Sequence, residues 1–138
     1  MITSTLNLLT TLSTDFSTNL LPMFDAVAWP NAPFSPPDSE SRGWVSYDVL
    51  LGESLQVETG GVNQKRFRTR GLVQIMVFTR PETGEAIGIA GADTVADHYR
   101  AATISGISFE APSVETVGLS GGWWTTRIRC PFYADRVA

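Results

Sequence analysis

The sequence predicts an α+β chain in which a single, mainly antiparallel β-sheet is packed by two α-helices, with a long Pro-rich loop after the first helix. Three observations carry this expectation. Apolar residues recur at steps of three and four over residues 2–20 and again over 85–102, the period of one helix face. Two segments, 66–78 and 123–132, are rich in β-branched and aromatic residues that alternate with polar ones. Five prolines fall between the first helix and the first strand. With 138 residues, 43% of them hydrophobic, the chain has material for one core, and residues 1–138 are read as a single domain.

In the first helix Ile2, Leu6, Leu9, Leu12, Phe16 and Leu20 mark the apolar face. Its many threonines are poor helix formers, so this helix depends on a packing partner. Pro22, Pro30, Pro33, Pro36 and Pro37 then punctuate the chain up to Gly43, with Trp29 and Phe34 between them. Proline removes amide donors and forces the preceding residue to be extended, so this segment is a loop, and its two large aromatics imply that it is pinned to something.

Trp44 to Leu51 reads as a strand with Val45, Tyr47, Val49 and Leu51 on one face, and Leu55 and Val57 continue or follow it before a break at Gly60-Gly61. The segment from Arg66 to Phe78 begins with polar alternation and becomes continuously apolar, as a strand does when its second half is covered on both faces. Pro81 to Gly84 turns the chain. The second helix, Glu85 to Ala102, has Gly88, Ala92, Val95, Tyr99 and Ala102 along one side, a thin profile suited to close approach to a sheet. Short strands are expected at Ile107 to Phe109 and Val114 to Val117. A final strand from Trp123 to Phe132 has Trp124, Thr126, Ile128, Cys130 and Phe132 facing one way and Trp123, Thr125, Arg127 and Arg129 the other.

Ten Lys and Arg against 14 Asp and Glu give a formal charge of −4, so the molecule as a whole has no field that draws it to nucleic acid or an anionic membrane. The single cysteine, Cys130, excludes an intrachain disulfide framework and fits synthesis in a reducing cytoplasm. The first twenty residues lack the basic start of a signal peptide, and no run approaches the ~18 apolar residues that cross a bilayer.

A search for chemistry finds no specific device. His98 is the only histidine, without a nucleophile-elbow sequence to go with it, and reads as an ordinary helix-surface residue. Asp93 and Asp97 are four apart and share a helix face, which without further ligands is a solvated polar face. Cys130 alternates with Ile128 and Phe132 and reads as a small buried hydrophobe. Gly84, Gly88 and Gly91 miss the spacing of a phosphate loop. No catalytic residue, metal or cofactor is expected.

One constellation remains. Arg66, Arg68 and Arg70 share one strand face, and Arg127 and Arg129 share another. They read either as a solvated sheet face or as an electropositive contact surface for an acidic partner or for passing DNA.

The order of motifs resembles the tail terminator-like proteins of long-tailed bacteriophages. The residues that carry the resemblance are Trp29 to Phe34 with Pro36-Pro37, Trp44-Val45, Arg68 to Phe78, Ala92-Asp93 or Ala96-Asp97, Pro112-Ser113, Trp124, and Cys130 to Asp135. They span nearly the whole chain. The Thr-rich first helix departs from the family pattern. The resemblance implies a structural subunit of a virion, made in the host cytoplasm, that forms a ring, hexameric by family expectation, on the head-proximal end of the tail tube. Such a ring ends tube polymerisation and offers a surface to the connector or head-closure protein. Its implied partners are copies of itself, the tail tube protein and the head connector, with non-specific contact to DNA in the lumen and none to membrane. Trp29 and Phe34 are the candidate subunit contacts, with packing inside their own subunit as the alternative. Arg66, Arg68, Arg70, Arg127 and Arg129 are the candidates to face lumen or tube. Another neck protein of the same virion, a small ligand-binding module with the aromatic loop as lid, and a small enzyme are the competing readings.

Overall fold

The computed structural model describes residues 2–37, 43–58, 65–82 and 84–137. The expected break at Gly60-Gly61 lies outside the described residues, as does Thr83 of the turn after the long strand. In chain order the elements are α1 (Thr5–Asn19), a short 3-10 helix (Leu21–Met23), β1 (Val27–Ala28), β2 (Trp44–Glu58), β3 (Arg66–Thr79), α2 (Ala86–Tyr99), β4 (Thr103–Ile104), β5 (Ile107–Phe109), β6 (Ser113–Ser120) and β7 (Trp123–Val137).

The fold class departs from the α+β expectation. Among the described residues 47% are strand and 26% helix, and the seven strands form one mixed sheet in the order β1-β2-β3-β7-β5-β4, with β6 also on β7. The molecule is mostly β, and the helices are a minor layer on it. The sheet is mixed because β1, inside the Pro-rich segment where no strand was expected, pairs parallel to β2 through Val27↔Val45 and Ala28↔Ser46. A parallel neighbour needs a crossover connection, and the Pro-rich loop supplies it.

The centre of the sheet is the β3–β7 ladder, which runs in one register from Arg66↔Val137 to Thr79↔Trp124. Side chains alternate across it with period two. Val73, Ile75 and Val77 of β3 and Ile128, Cys130, Phe132 and Ala134 of β7 point to one face and are buried. That face meets Leu8, Leu12 and Phe16 of α1 and Ala92, Val95, Ala96 and Tyr99 of α2 in one apolar cluster. The small residues of α2 bring it close to the sheet as expected. The face of α1 differs from the expected one: Leu8 is buried, whereas Leu6 is 74% exposed. Steps of three and four leave both registers open, and packing selects 8, 12 and 16.

Local chemistry compensates the poor helix propensity of α1. The Ser4 hydroxyl oxygen accepts from the Asn7 amide at 3.0 Å, and the Asn7 side-chain oxygen accepts from the Thr3 amide at 3.0 Å. The Ser4 bond satisfies an amide that a helix start otherwise leaves open, an effect of about 1 kcal/mol, and the Asn7 bond ties down the residue before the cap.

Pro131 sits inside a central strand, where the lost amide donor is normally costly. In an antiparallel strand the N and O of one residue point to the same neighbour, and the Pro131 carbonyl accepts from the Glu110 amide at 2.9 Å. The missing N–H therefore faces away from β3, into the gap where β7 changes partner from β6 to β5.

Gly71 is required by close approach. A methyl group there would stand 2.5 Å from the Phe132 Cζ and 2.9 Å from the Leu50 carbonyl oxygen. Substitution Gly71→Ala must push the buried Phe132 ring off the strand, and it is expected to lower unfolding free energy by about 1–3 kcal/mol in denaturant titrations. An unchanged midpoint would contradict the packing described.

Candidate functional site

The face of the sheet turned away from the helices carries the polar constellation. Even positions of β3 and odd positions of β7 point there, so Arg66, Arg68, Arg70, Arg127 and Arg129 all lie on one face. The sequence had grouped them only strand by strand, and the register joins the groups.

Most of these cations have acidic neighbours. Arg68 donates from Nε and Nη2 to the two carboxylate oxygens of Asp135, its cross-strand partner, at 2.8 and 3.0 Å. This planar, bidentate pairing fixes geometry as well as charge. Arg70 donates to Glu110 at 3.2 Å, and Arg127 lies 3.6 Å from Glu115 on β6. The Tyr133 ring lies beneath both Arg68 and Arg70, whose guanidinium carbons are 4.3 and 5.9 Å from its centroid. Arg66 also takes part in interactions, and its charge acts on Asp135. Arg129 is exposed and has no ion pair among the described residues. The face is thus an alternating lattice of charges, with the strongly electropositive character reduced by pairing.

The other end of the same face is aromatic. Phe34, from the Pro-rich loop, lies 4.8 Å from the Trp44 ring, Trp44 stacks on Phe78 at 4.1 Å, and Trp123 meets Trp44 edge-on at 5.6 Å. Trp29 goes to the helix side, against Phe16 at 5.8 Å and Tyr47 at 5.3 Å. The loop therefore wraps the β1–β2 edge, with one aromatic on each face. Both residues are anchored within their own chain while staying partly exposed, so contact with a neighbour and packing at home are compatible.

His98 does more than sit on a helix surface. Its Nε2 is 2.8 Å from the Asp15 Oδ2, which ties α2 to α1. Sequence reasoning missed this because the two residues are 83 positions apart. Asp97 pairs with Arg100 on the exposed side of α2. Burial, followed by the Asp15 charge, pushes the Tyr47 hydroxyl above the usual phenol range. Tyr99 is shifted the same way, by burial first and then by Tyr47 and Asp15. Burial also pushes the Cys130 thiol up to about 12. Among the described residues no group of three His, Cys, Asp or Glu is placed to hold a metal ion, and no helix is long and apolar enough to cross a membrane.

Comparison with known proteins adds a family. A family model described as phage tail terminator protein matches residues 10–132. No curated protein matches the chain. Of seven matching solved chains, one superposes with a TM-score of 0.61 at 15% identity, covering 94% of this chain and 96% of its own length. At that identity the likeness establishes the fold.

Two outcomes are expected from the site chemistry. The Arg68 hydrogen bonds hold the Asp135 carboxyl below its usual range. A depressed folded value means that this pair stabilises the protein above the ordinary carboxylate pKa, about 4, and that the contribution is lost as pH falls through the lower folded value. Asp135→Asn should therefore lower Tm at neutral pH, and the difference from wild type should shrink as the pH is taken below the ordinary carboxylate range. A gap independent of pH would contradict the assignment. Cys130 at pH near 8 should react with a thiol probe roughly a thousandfold more slowly in the folded protein than in denaturant, since both its thiolate fraction and its access are reduced.

Proposed function

Because the chain belongs to the phage tail terminator family, whose members are structural tail proteins of virions, we propose that it works as a ring-forming subunit at the head-proximal end of the tail tube. The single observation that carries the proposal is the family match over residues 10–132. The ring, with six copies as the family expectation, stops tube growth and presents its upper surface to the head-closure or connector protein. The whole chain, residues 1–138, acts as one domain in this role, which is that of a binding surface and involves no reaction.

The geometry supports this reading in three ways. The face with Arg66, Arg68, Arg70, Arg127 and Arg129 is broad and polar, with its cations held by cross-strand partners, and suits repeated contact with tube or lumen better than a deep ligand site. Non-specific contact with DNA falls mainly to Arg129 there, because the other cations have acidic neighbours or other interactions. Trp29 and Phe34 are held in place by intrachain aromatic contacts on either side of one sheet edge, so little ordering entropy opposes their docking to a neighbouring copy.

Phage particles produced without this chain should have tails of excess and variable length that fail to join heads, as seen by negative-stain electron microscopy. Tails of wild-type length attached to filled heads would overturn the proposal. Tail length separates this reading from that of a connector: loss of a connector leaves tail length unchanged.

A further inference from the structure

Of the arginines in the described strands, only Arg136 lies on the helix-side face of the sheet. Along β7 the residues Ile128, Cys130, Phe132 and Ala134 point to that face and are buried, and the next residue in the row is Arg136, opposite Phe67. Arg66, Arg68, Arg70, Arg127 and Arg129 are on the far face, most of them beside acidic neighbours. Arg136 has no ion pair among the described residues, and its Nε is buried without an acceptor. Withdrawing part of a guanidinium from water is costly unless an acceptor meets it, so an orphaned Nε marks a place where an acceptor belongs.

The surroundings have room for one. Arg136 lines a cavity of about 160 Å³ between the start of α1 and one end of β2, β3 and β7. Buried Ile2, Leu8 and Ala134 form its inner wall, and it opens past Gly52 and Ser54, which are exposed. Ser4, Thr5 and Thr69 also line it, and with Ser54 they bring four hydroxyl-bearing side chains to its wall. No carboxylate lines it, and the first turn of α1 has no acidic residue. The amides of Thr5 and Leu6 have no intrahelical acceptor, so the helix start adds partial positive charge from the same side.

We infer that this cavity binds a carboxylate. One guanidinium balances one negative charge, whereas a phosphate dianion would bring a second, uncompensated one beside apolar walls. A phosphodiester has one charge but two bulky substituents, and the cavity is large enough only for the end of a side chain or a molecule of that size. A carboxylate also matches the planar guanidinium through two parallel hydrogen bonds, one of them from Nε, as Asp135 does for Arg68 in this chain. Two sources can supply the group: a free small carboxylate, or an acidic side chain of another protein chain.

The test is an NMR titration of the full chain that follows the amides of Thr5 and Leu6 and the Nε–H of Arg136, with ionic strength held constant by chloride. Sodium acetate should shift all three signals to saturation. Arg136→Gln, accepted as folded when its Tm matches that of wild type, should raise the half-saturating concentration about tenfold or more. Arg100→Gln, at the C-terminal end of α2, should leave it unchanged. Should the glutamine variant not fold, Arg136→Lys keeps the charge, loses the planar fork and is expected to weaken binding by a smaller factor. A capped peptide with a single glutamate that saturates at lower concentration than acetate identifies a protein side chain as the source, and one that saturates no lower identifies a free carboxylate. Shifts that never saturate, binding undiminished in the Arg136 variants, or tighter binding of phosphate than of acetate would overturn the assignment.

Discussion

Everything in this chain is hung on the β3–β7 ladder. Fourteen residue pairs in one uninterrupted register, from Arg66↔Val137 to Thr79↔Trp124, divide the side chains between two faces with no slip. A one-residue shift would carry the core residues into solvent and the arginines into the core, so the register is strongly specified. One face takes α1 and α2. The other carries cross-strand ion pairs, aromatic stacks and the loop that returns over Trp44. Core and candidate assembly surface are thus two sides of a single ladder.

The two-residue alternation was legible in β7 and in the first half of β3; the apolar second half of β3 read as covered on both faces, whereas only Val73, Ile75, Val77 and Thr79 are buried and Leu72, Gln74, Met76 and Phe78 stay part-exposed on the face away from the helices. The small-residue side of α2 was legible because a row of Gly and Ala has few uses other than close packing. What could not be read was set by long-range contact. β1 has two residues and no periodicity to show, and it turned the expected antiparallel sheet into a mixed one. The full extent of β6 was hidden because nearly all of its residues are exposed, so no alternation marks it. In α1 the choice of Leu8 over Leu6 is made by the sheet beneath it, since propensity and spacing allow both.

The candidate site was legible in its residue types and opaque in its pairings. Arg68 and Asp135 are 67 residues apart, and only the register makes them neighbours. Pairing changes what the arginines do: guanidiniums held by carboxylates and by Tyr133 shape a contact surface, whereas free ones would give a long-range field. The His98–Asp15 contact, which links the two helices, shows the same limit from the core side.

In the role proposed for it, copies of this subunit stand together at one end of a tail tube. Electron microscopy of purified tails, with this chain carrying a C-terminal label, tests it most directly. Label is expected at the head-proximal end alone, in a fixed number of copies related by rotation about the tube axis. Label distributed along the tube, or none on finished tails, would contradict it.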